Sequence, residues 1–359
     1  MERINHNLTN HLKEIICTIQ KNGFTGTNHG LMYGNMSLCL YFYHLARSTN
    51  NPEYEKLADD LLDKIFASLS TATFADFANG LAGIGWGIEY LVQNGFAEGD
   101  TDEILEEVDN KVFKVLNEEN IISFELDNGL TGYLFYLISR LKKPANSNTM
   151  AQQINRELLI LTINKLDEVV TGQFASITKD MYFDLFWRFP MMLYGLVEAF
   201  DLNIYNEKIK CVINQWLMNL EVYLPSMHIN RLYLATVLVQ INKRILNRRL
   251  EKQIQILLFA TNFETLKTEI NQKALTIRYG WPGVAWLLQQ ASRIIPVSYP
   301  NHQLIGSTCD EIIAKHKFTL EDISATDIQP NTQQLDLNIG LAGIGLLELL
   351  YPNIWGGNQ

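Results

Sequence analysis

The chain has 359 residues, and its 29 Lys and Arg against 39 Asp and Glu give a formal net charge of −10 at pH 7. This charge argues against binding to nucleic acid or anionic lipid, both of which require a basic surface, and the 47% hydrophobic content excludes global disorder. The sequence shows no signal peptide and no apolar run of about 18 residues that would span a membrane. The four scattered cysteines indicate reduced thiols in a cytoplasmic protein.

A Gly-x-x-Gly motif followed directly by an apolar run recurs about every fifty residues along the chain. Its five clear copies are HGLMYGNMSLCLYF (29–42, with one extra residue between its glycines), NGLAGIGWGIEYL (79–91), NGLTGYLFYLISRL (128–141), YGWPGVAWLLQQA (279–291) and IGLAGIGLLELL (339–350). The gap between the third and fourth copies fits two degenerate copies, WRFPMMLYGLVEAF (187–200) and INRLYLATVLVQI (229–241). Each copy predicts a buried inner helix. The inner helices are predicted to start at or just after Gly30, Gly80, Gly129, Arg188, Asn230, Gly280 and Gly340.

Amphipathic stretches lie between these motifs, as in 52–70 and 102–117, where apolar residues recur with the period of a helix. Each repeat unit is therefore predicted to be an amphipathic outer helix, a loop and an inner helix. The last unit is among the most apolar and lacks the polar cap that an open solenoid needs, which favours a closed ring. We predict an all-α fold, an α/α toroid of about seven helix pairs that forms a single domain over residues 1–359.

The glycines of such a ring would let neighbouring backbones approach closely. All the inner helices would begin at one end of the ring, where unpaired N–H groups and helix dipoles would form a binding mouth.

Acidic residues recur four positions before the first glycine of a motif, as Asp76, Glu125, Asp184 and Asp336. Three other units have Gly26, Ser226 and Thr276 there. Two interpretations stay open. Short polar side chains at this place can cap the following helix, or the carboxylates can form an acidic ring around the mouth.

The residues next to the first glycine are also expected to line the mouth. The position directly before it holds His29, Trp187 and Tyr279, with Arg188 and Arg278 beside it. Arg278 stands in a mostly apolar unit, so we expect it to pair with Asp184 or Asp336 or to face the cavity.

Two segments carry a resemblance to a known family. YGWPGVAWLL (279–288) and IGLAGIGLLELL (339–350) resemble the last two motifs of the lanthionine synthetase C-like family, the lanthipeptide cyclases. The resemblance implies a helical toroid that acts on a precursor peptide. It also implies a zinc ion, held by two cysteines and a histidine, which activates a substrate thiol for thioether formation. The three ligand positions fall on Arg278, Asn338 and Ile339, none of which can replace a zinc ligand.

Three functional hypotheses follow. The first is a metal-free and cofactor-free member of the family that binds a peptide or precursor peptide in the cavity, with a modification enzyme as a further candidate partner. The second is a cavity enzyme that uses paired carboxylates in the manner of glycosidases. The third is a thioether cyclase that works without zinc. The candidate catalytic residues are Glu125, Asp184, Asp336 and Tyr279. The candidate substrate-binding residues are Arg278, Trp187, Asp76, His29, Arg188 and Asn338.

Overall fold

The computed structural model describes residues 10–22, 28–69, 74–118, 123–142, 149–180, 182–220, 223–270, 276–315, 335–338 and 340–351. Within these ranges the regular structure is helical and no strand is present. The helices are α1 (Asn10–Asn22), α2 (Asn35–Thr49), α3 (Pro52–Ser68), α4 (Leu81–Gln93), α5 (Thr101–Ile104), α6 (Glu106–Glu118), α7 (Leu130–Leu141), α8 (Met150–Ile177), α9 (Arg188–Asp201), α10 (Asn206–Leu220), α11 (His228–Asn242), α12 (Arg248–Phe259), α13 (Phe263–Glu269), α14 (Trp281–Ile294), α15 (His302–Lys315) and α16 (Leu341–Leu350). None of them combines the length and apolar character that crossing a bilayer requires.

The inner helices of the described chain form a closed ring. Each of α2, α4, α7, α9, α11 and α14 packs against the next in this order, and α16 packs against α2. The turn of α14 is joined to that of α16 by a hydrogen bond from the Arg278 N–H to the Asn338 carbonyl (3.3 Å). The prediction of an all-α toroid is therefore confirmed, whereas its extent as one domain over 1–359 stays a prediction.

The outer helices cover this ring. Helix α3 packs on α2, α6 on α4, α8 on α7, α12 on α11 and α15 on α14, while α1 packs on α16. Helix α3 shows why these segments fold as they do: the Asn51 side chain accepts a hydrogen bond from the Glu53 N–H at its N-terminus, and Pro52 occupies the first turn. One stripe of α3 is buried, and the rest of the helix faces solvent.

Most inner helices begin where the sequence predicts. Helices α4, α7, α14 and α16 start directly after the first glycine of their motif, and α9 starts at Arg188. Helix α2 is a correction, because the extra residue in its motif moves the start past Gly34 to Asn35. Helix α11 starts at His228 rather than at Asn230.

The early start of α11 has a physical cause in its neighbours. The Glu269 carboxylate accepts a hydrogen bond from the His228 N–H (2.8 Å), and the Asp180 carboxylate accepts one from the Met227 N–H (3.1 Å). Carboxylates at a helix N-terminus accept hydrogen bonds from free N–H groups and interact favourably with the positive end of the helix dipole. This degenerate unit therefore takes its cap from other segments of the chain.

The prediction that the mouth presents unpaired N–H groups is wrong for several inner helices. In α2, α4, α7 and α16 the loop before the helix folds back, so that its own carbonyl groups accept N–H groups of the first turn. The Leu81 N–H donates to the Phe74 carbonyl (3.0 Å), and the Leu130 N–H donates to the Ser123 carbonyl (3.0 Å). The N–H groups in these first turns are consequently unavailable to a ligand.

The motif glycines make this fold-back geometry accessible. A Cβ atom on Gly80 would lie 2.6 Å from the Phe74 carbonyl oxygen, and one on Gly83 would lie 1.9 Å from the Phe77 carbonyl oxygen. The predicted close approach between helices applies to glycines deeper in them. A Cβ on Gly85 would lie 2.5 Å from the Tyr136 ring of the neighbouring helix. Most motif glycines thus serve the contact between a loop and its own helix.

Candidate functional site

The loops that precede the inner helices form one end of the ring, which we call the rim. Its described residues are 28–34, 74–80, 123–129, 182–187, 223–227, 276–280, 335–338 and 340. The opposite end, where the inner helices finish, is called the far end.

Backbone hydrogen bonds tie the rim loops to one another. The bonds are Met32 N–H to Ala78 O (2.9 Å), Ala78 N–H to Asp127 O (2.9 Å), Leu185 N–H to Arg278 O (2.8 Å) and Arg278 N–H to Asn338 O (3.3 Å). Four of these residues, Ala78, Asp127, Arg278 and Asn338, occupy the second position before the first glycine of their motif. Residues that hold the same register position in neighbouring units therefore contact one another inside the rim.

Arg278 is the centre of an ion cluster at the rim. Its Nε and Nη2 donate to the two carboxylate oxygens of Asp184 (2.9 and 3.2 Å), and its Nη1 donates to Asp127 Oδ2 (2.8 Å). Of the two partners that the sequence offered, the structure pairs Arg278 with Asp184 and not with Asp336. Asp127 is a partner that sequence reasoning missed, although its register position is the same as that of Arg278.

Aromatic and amide groups enclose the guanidinium. It lies 5.3 Å from the centre of the Phe186 ring and 5.0 Å from that of Tyr279. The Tyr33 hydroxyl lies 3.5 Å from Arg278 Nη1 and accepts a hydrogen bond from Asn338 Nδ2 (2.5 Å). Sequence reasoning also missed Tyr33, which lies in the first unit of the ring four residues after His29.

This environment keeps Arg278 charged. Burial disfavours the charge, since the side chain is only 11% exposed, but the Asp184 and Asp127 carboxylates outweigh that effect and raise the pKa of Arg278. The guanidinium is thus a fixed positive charge in a cluster with an excess of carboxylates.

Local capping accounts for three of the four acids that recur before the motifs. Asp76 Oδ1 accepts from the Asn79 N–H (2.7 Å), and Asp184 Oδ1 accepts from the Phe186 N–H (2.8 Å). Asp336 Oδ1 accepts from the N–H groups of Asn338 (2.9 Å) and Gly340 (3.1 Å). All four predicted acids belong to the rim loops, and Asp184 both caps its loop and binds Arg278.

Glu125 differs from the other acids because it forms an ion pair with Arg188. Arg188 Nε lies 2.6 Å from Glu125 Oε1, and both side chains are partly exposed. Burial raises the pKa of the Glu125 carboxyl above its ordinary value, and this outweighs the opposing charge of Arg188. Glu125 is therefore the rim acid with a raised pKa and access to solvent.

Three of the remaining predicted site residues are buried. Asp336, Asn338 and Trp187 are buried, so a ligand at the rim would not reach them without movement of the chain. The Trp187 ring packs edge-on against Tyr233, 6.3 Å away. Their roles as catalytic or substrate-binding side chains stay predictions, and their burial counts against direct contact with a ligand at the rim.

His29 and Tyr279 remain partly exposed. His29 Nδ1 lies 3.1 Å from Asn35 Nδ2, and burial, followed by the charge of Lys64, lowers the His29 pKa. Tyr279 stacks edge-on against Tyr182, and burial and the nearby Asp184 raise the pKa of its phenol. Burial and Asp184 thus both disfavour the phenolate form of Tyr279.

The residues at the expected zinc position do not fit a zinc ion. Arg278 and Asn338 supply a guanidinium and an amide, and both are engaged with carboxylates or with Tyr33. Zinc takes thiolate, imidazole or carboxylate ligands, and a guanidinium repels it. Among the residues that the structure describes, no three His, Cys, Asp or Glu side chains are grouped to hold a metal. Ile339, the third expected position, lies outside the described residues.

The fold and the rim define a class of protein, the closed helical toroids whose loops converge where the inner helices begin. Residues 26–184 match the family model "Lanthionine synthetase C-like protein". Over those residues, the sequence of the chain is accordingly similar to that of lanthionine synthetase C-like proteins.

The likeness in fold extends beyond the matched segment. The solved structure "Nisin cyclase" matches with a TM-score of 0.64 over 96% of this chain and 94% of that chain. At 15% sequence identity this likeness shows the fold alone. No curated protein matches the chain in sequence.

Proposed function

We propose that this chain is a lanthionine synthetase C-like protein that binds a peptide at the rim and does so without zinc chemistry. The observation that carries the proposal is Arg278, held by Asp184 and Asp127 at the position where the resemblance places the first zinc ligand. A guanidinium can orient an anion or a carbonyl group, but it cannot act as a Lewis acid on a thiol.

The geometry of Arg278 supports a peptide as the ligand. A guanidinium has five N–H donors, and the contacts of Arg278 with Asp184, Asp127 and Tyr33 in the described chain engage four of them. One N–H of Nη2 is left to donate to a peptide carbonyl oxygen. Because three side chains hold the guanidinium, it would lose little freedom when it binds.

The family supplies the biological context of the proposal. The matching structure carries the name of nisin, and we place the present chain in a lanthipeptide-type modification pathway in the cytoplasm. There it would hold a precursor peptide for a partner modification enzyme.

One observation favours a second candidate function, an enzyme that uses carboxylates in acid–base catalysis. Glu125 is partly exposed and has a raised pKa, as a general acid requires. Asp127 and Asp184 would have to provide the base, but Arg278 binds both of them. The case for a cyclase without zinc is weakened as well, since burial and Asp184 disfavour the phenolate of Tyr279 that could act as a base.

The first test concerns zinc. We expect the purified protein to contain well below one zinc ion per chain by mass spectrometry of its metals. The triple variant Arg278→Cys, Asn338→Cys, Ile339→His should gain zinc, because it restores the ligand types of the family. Stoichiometric zinc in the unmodified protein, or thioether formation on a dehydrated peptide, would overturn the proposal.

The second test concerns the peptide. We expect Arg278→Ala to weaken the binding of labelled peptides at least about tenfold, as measured by fluorescence anisotropy. Arg278→Lys should not restore it, because an ammonium cannot bridge Asp184 and Asp127 with the same geometry. Arg244→Ala is the matched control, since Arg244 pairs with Asp201 at the far end (Nη2–Oδ2 2.5 Å). Equal losses in both alanine variants, with melting curves showing both folded, would remove Arg278 from the site.

A further inference from the structure

Exposed apolar side chains recur at one register position of the rim. The sixth residue before the first glycine place is Phe74, Tyr182 and Leu224 in three units, and these are 70%, 60% and 44% exposed. Phe24 holds the same position in the first unit, outside the described residues. Large apolar residues exposed on one end of a molecule mark binding surfaces more often than isolated ones do.

The backbone beneath these side chains is held in place. The Phe74 carbonyl accepts the first N–H of α4 (3.0 Å), and the Tyr182 carbonyl accepts from Asn230 Nδ2 (3.3 Å). Next to Leu224, the Pro225 carbonyl accepts from Arg231 Nε (2.7 Å). The side chains are therefore presented from fixed positions, which lowers the entropy lost when a ligand binds to them.

The charge of the rim indicates which charged groups the ligand carries next to its apolar side chains. Within the described ranges, the rim loops carry Asp76, Glu125, Asp127, Asp184 and Asp336 against Arg278, and Arg188 at the start of α9 pairs with Glu125. Asp76 is two residues from Phe74, and Asp184 is two residues from Tyr182. An excess of carboxylates next to apolar anchors is complementary to a segment that mixes basic and apolar residues.

We propose that Phe74, Tyr182 and Leu224 determine the specificity of the rim for peptides in which apolar side chains alternate with lysine or arginine. This inference rests on the proposed function and names the chemistry of its ligand. Tyr182 joins the apolar contacts to the ion cluster, because its ring packs edge-on against Tyr279, 5.9 Å away, and Tyr279 faces Arg278.

The experiment uses the full chain and three labelled synthetic peptides of equal length, built from Lys and Phe, from Glu and Phe, and from Lys and Ser. Fluorescence anisotropy gives the dissociation constant of each. We expect the Lys–Phe peptide to bind most tightly. The double variant Phe74→Ser, Leu224→Ser should bind it at least about tenfold more weakly than the unmodified protein.

The control removes two apolar side chains of higher exposure from the far end. Leu246 and Val297 follow inner helices α11 and α14 and are 88% and 76% exposed. The double variant Leu246→Ser, Val297→Ser should keep the affinity of the unmodified protein, and melting curves should show both double variants folded.

The outcomes separate this inference from the function on which it rests. If the unmodified protein binds none of the peptides, the proposed function fails. If it binds the Lys–Phe peptide but the rim and far-end variants bind equally well, peptide binding stands and the specificity inference fails. Preference for the Glu–Phe or the Lys–Ser peptide would overturn the inference as well.

Discussion

Two arginines at the rim contact carboxylates in different surroundings. Arg278 is nearly enclosed and bridges Asp184 and Asp127, whereas the pair of Arg188 with Glu125 lies open to solvent. An exposed ion pair contributes about 0–1 kcal/mol, and truncation of one partner of an enclosed pair leaves the other charge without compensation. Arg278 therefore holds two rim loops together through Asp184 and Asp127, whereas Arg188 forms a weaker, solvated pair with Glu125.

The raised pKa of Glu125 leads to a prediction about pH. The folded state holds the Glu125 proton more tightly than the unfolded state does, so this group lowers the free energy of unfolding as the pH rises through its folded pKa. Glu125→Gln removes that contribution. Relative to the unmodified protein, the variant should gain stability as the pH rises from about 4 to about 7, measured by urea denaturation.

A control with the opposite sign is available in Asp201. Its hydrogen bond with Arg244 lowers the Asp201 pKa, so Asp201 adds stability that is lost as the pH falls through its folded pKa. Asp201→Asn should therefore lose stability relative to the unmodified protein as the pH rises above that pKa. A Glu125→Gln variant that follows the trend of Asp201→Asn would contradict the assignment of a raised pKa to Glu125.

Helices α4, α5, α6 and α7 are joined near the far end by a buried ion network. Arg140 near the end of α7 is fully enclosed and binds Asp109 through Nε (3.1 Å) and Nη2 (2.6 Å). It also binds Glu89 of α4 and Asp102 of α5. The Tyr136 hydroxyl donates to Asp109 Oδ1 (2.6 Å). One guanidinium thus links four helices of neighbouring units.

Loss of Arg140 should be costly for stability. Arg140→Met removes the buried cation that Asp109 binds, and we expect the free energy of unfolding to fall by about 3–5 kcal/mol. Arg244→Met is the control, because its pair with Asp201 is solvated and should contribute about 0–1 kcal/mol. Urea denaturation measures both, and equal effects would show that the network is not a major source of stability.

The ring as a whole depends on the seam where the last unit meets the first. Helix α16 packs on α2, and a Cβ atom on Gly345 would lie 2.4 Å from the ring of Tyr41, which is buried. The Asn338–Tyr33 hydrogen bond crosses the same seam at the rim. A side chain at position 345 would therefore force the seam apart.

Gly345→Leu tests the closure of the ring. Overpacking at this contact should lower the free energy of unfolding by about 1–3 kcal/mol or more, as measured by urea denaturation. Gly306→Leu in α15 is the matched control, since no atom lies within 4 Å of the added Cβ and leucine favours the helix over glycine. Unchanged stability in Gly345→Leu would mean that α16 does not seal the ring against α2.

The repeat pattern alone was enough to predict the helical toroid, because the residues within each unit determine where its helices form. The glycine motifs mark where α4, α7, α14 and α16 begin, and the apolar period separates inner from outer helices. The sequence also predicted Asp184 as one of two candidate partners of Arg278, since an arginine in an apolar unit requires an acidic partner.

Contacts between distant units required the folded chain. Asn338 and Tyr33 are 305 residues apart in sequence, and Arg278 and Asp127 are 151 apart. The Arg140 network and the capping of α11 by Glu269 likewise join different units. A repeat pattern states which residues share a register position, but closure of the ring determines which of those positions meet and which turn inward. That is why Asp127 and Tyr33 enter the site, while Asp336, Asn338 and Trp187 are buried.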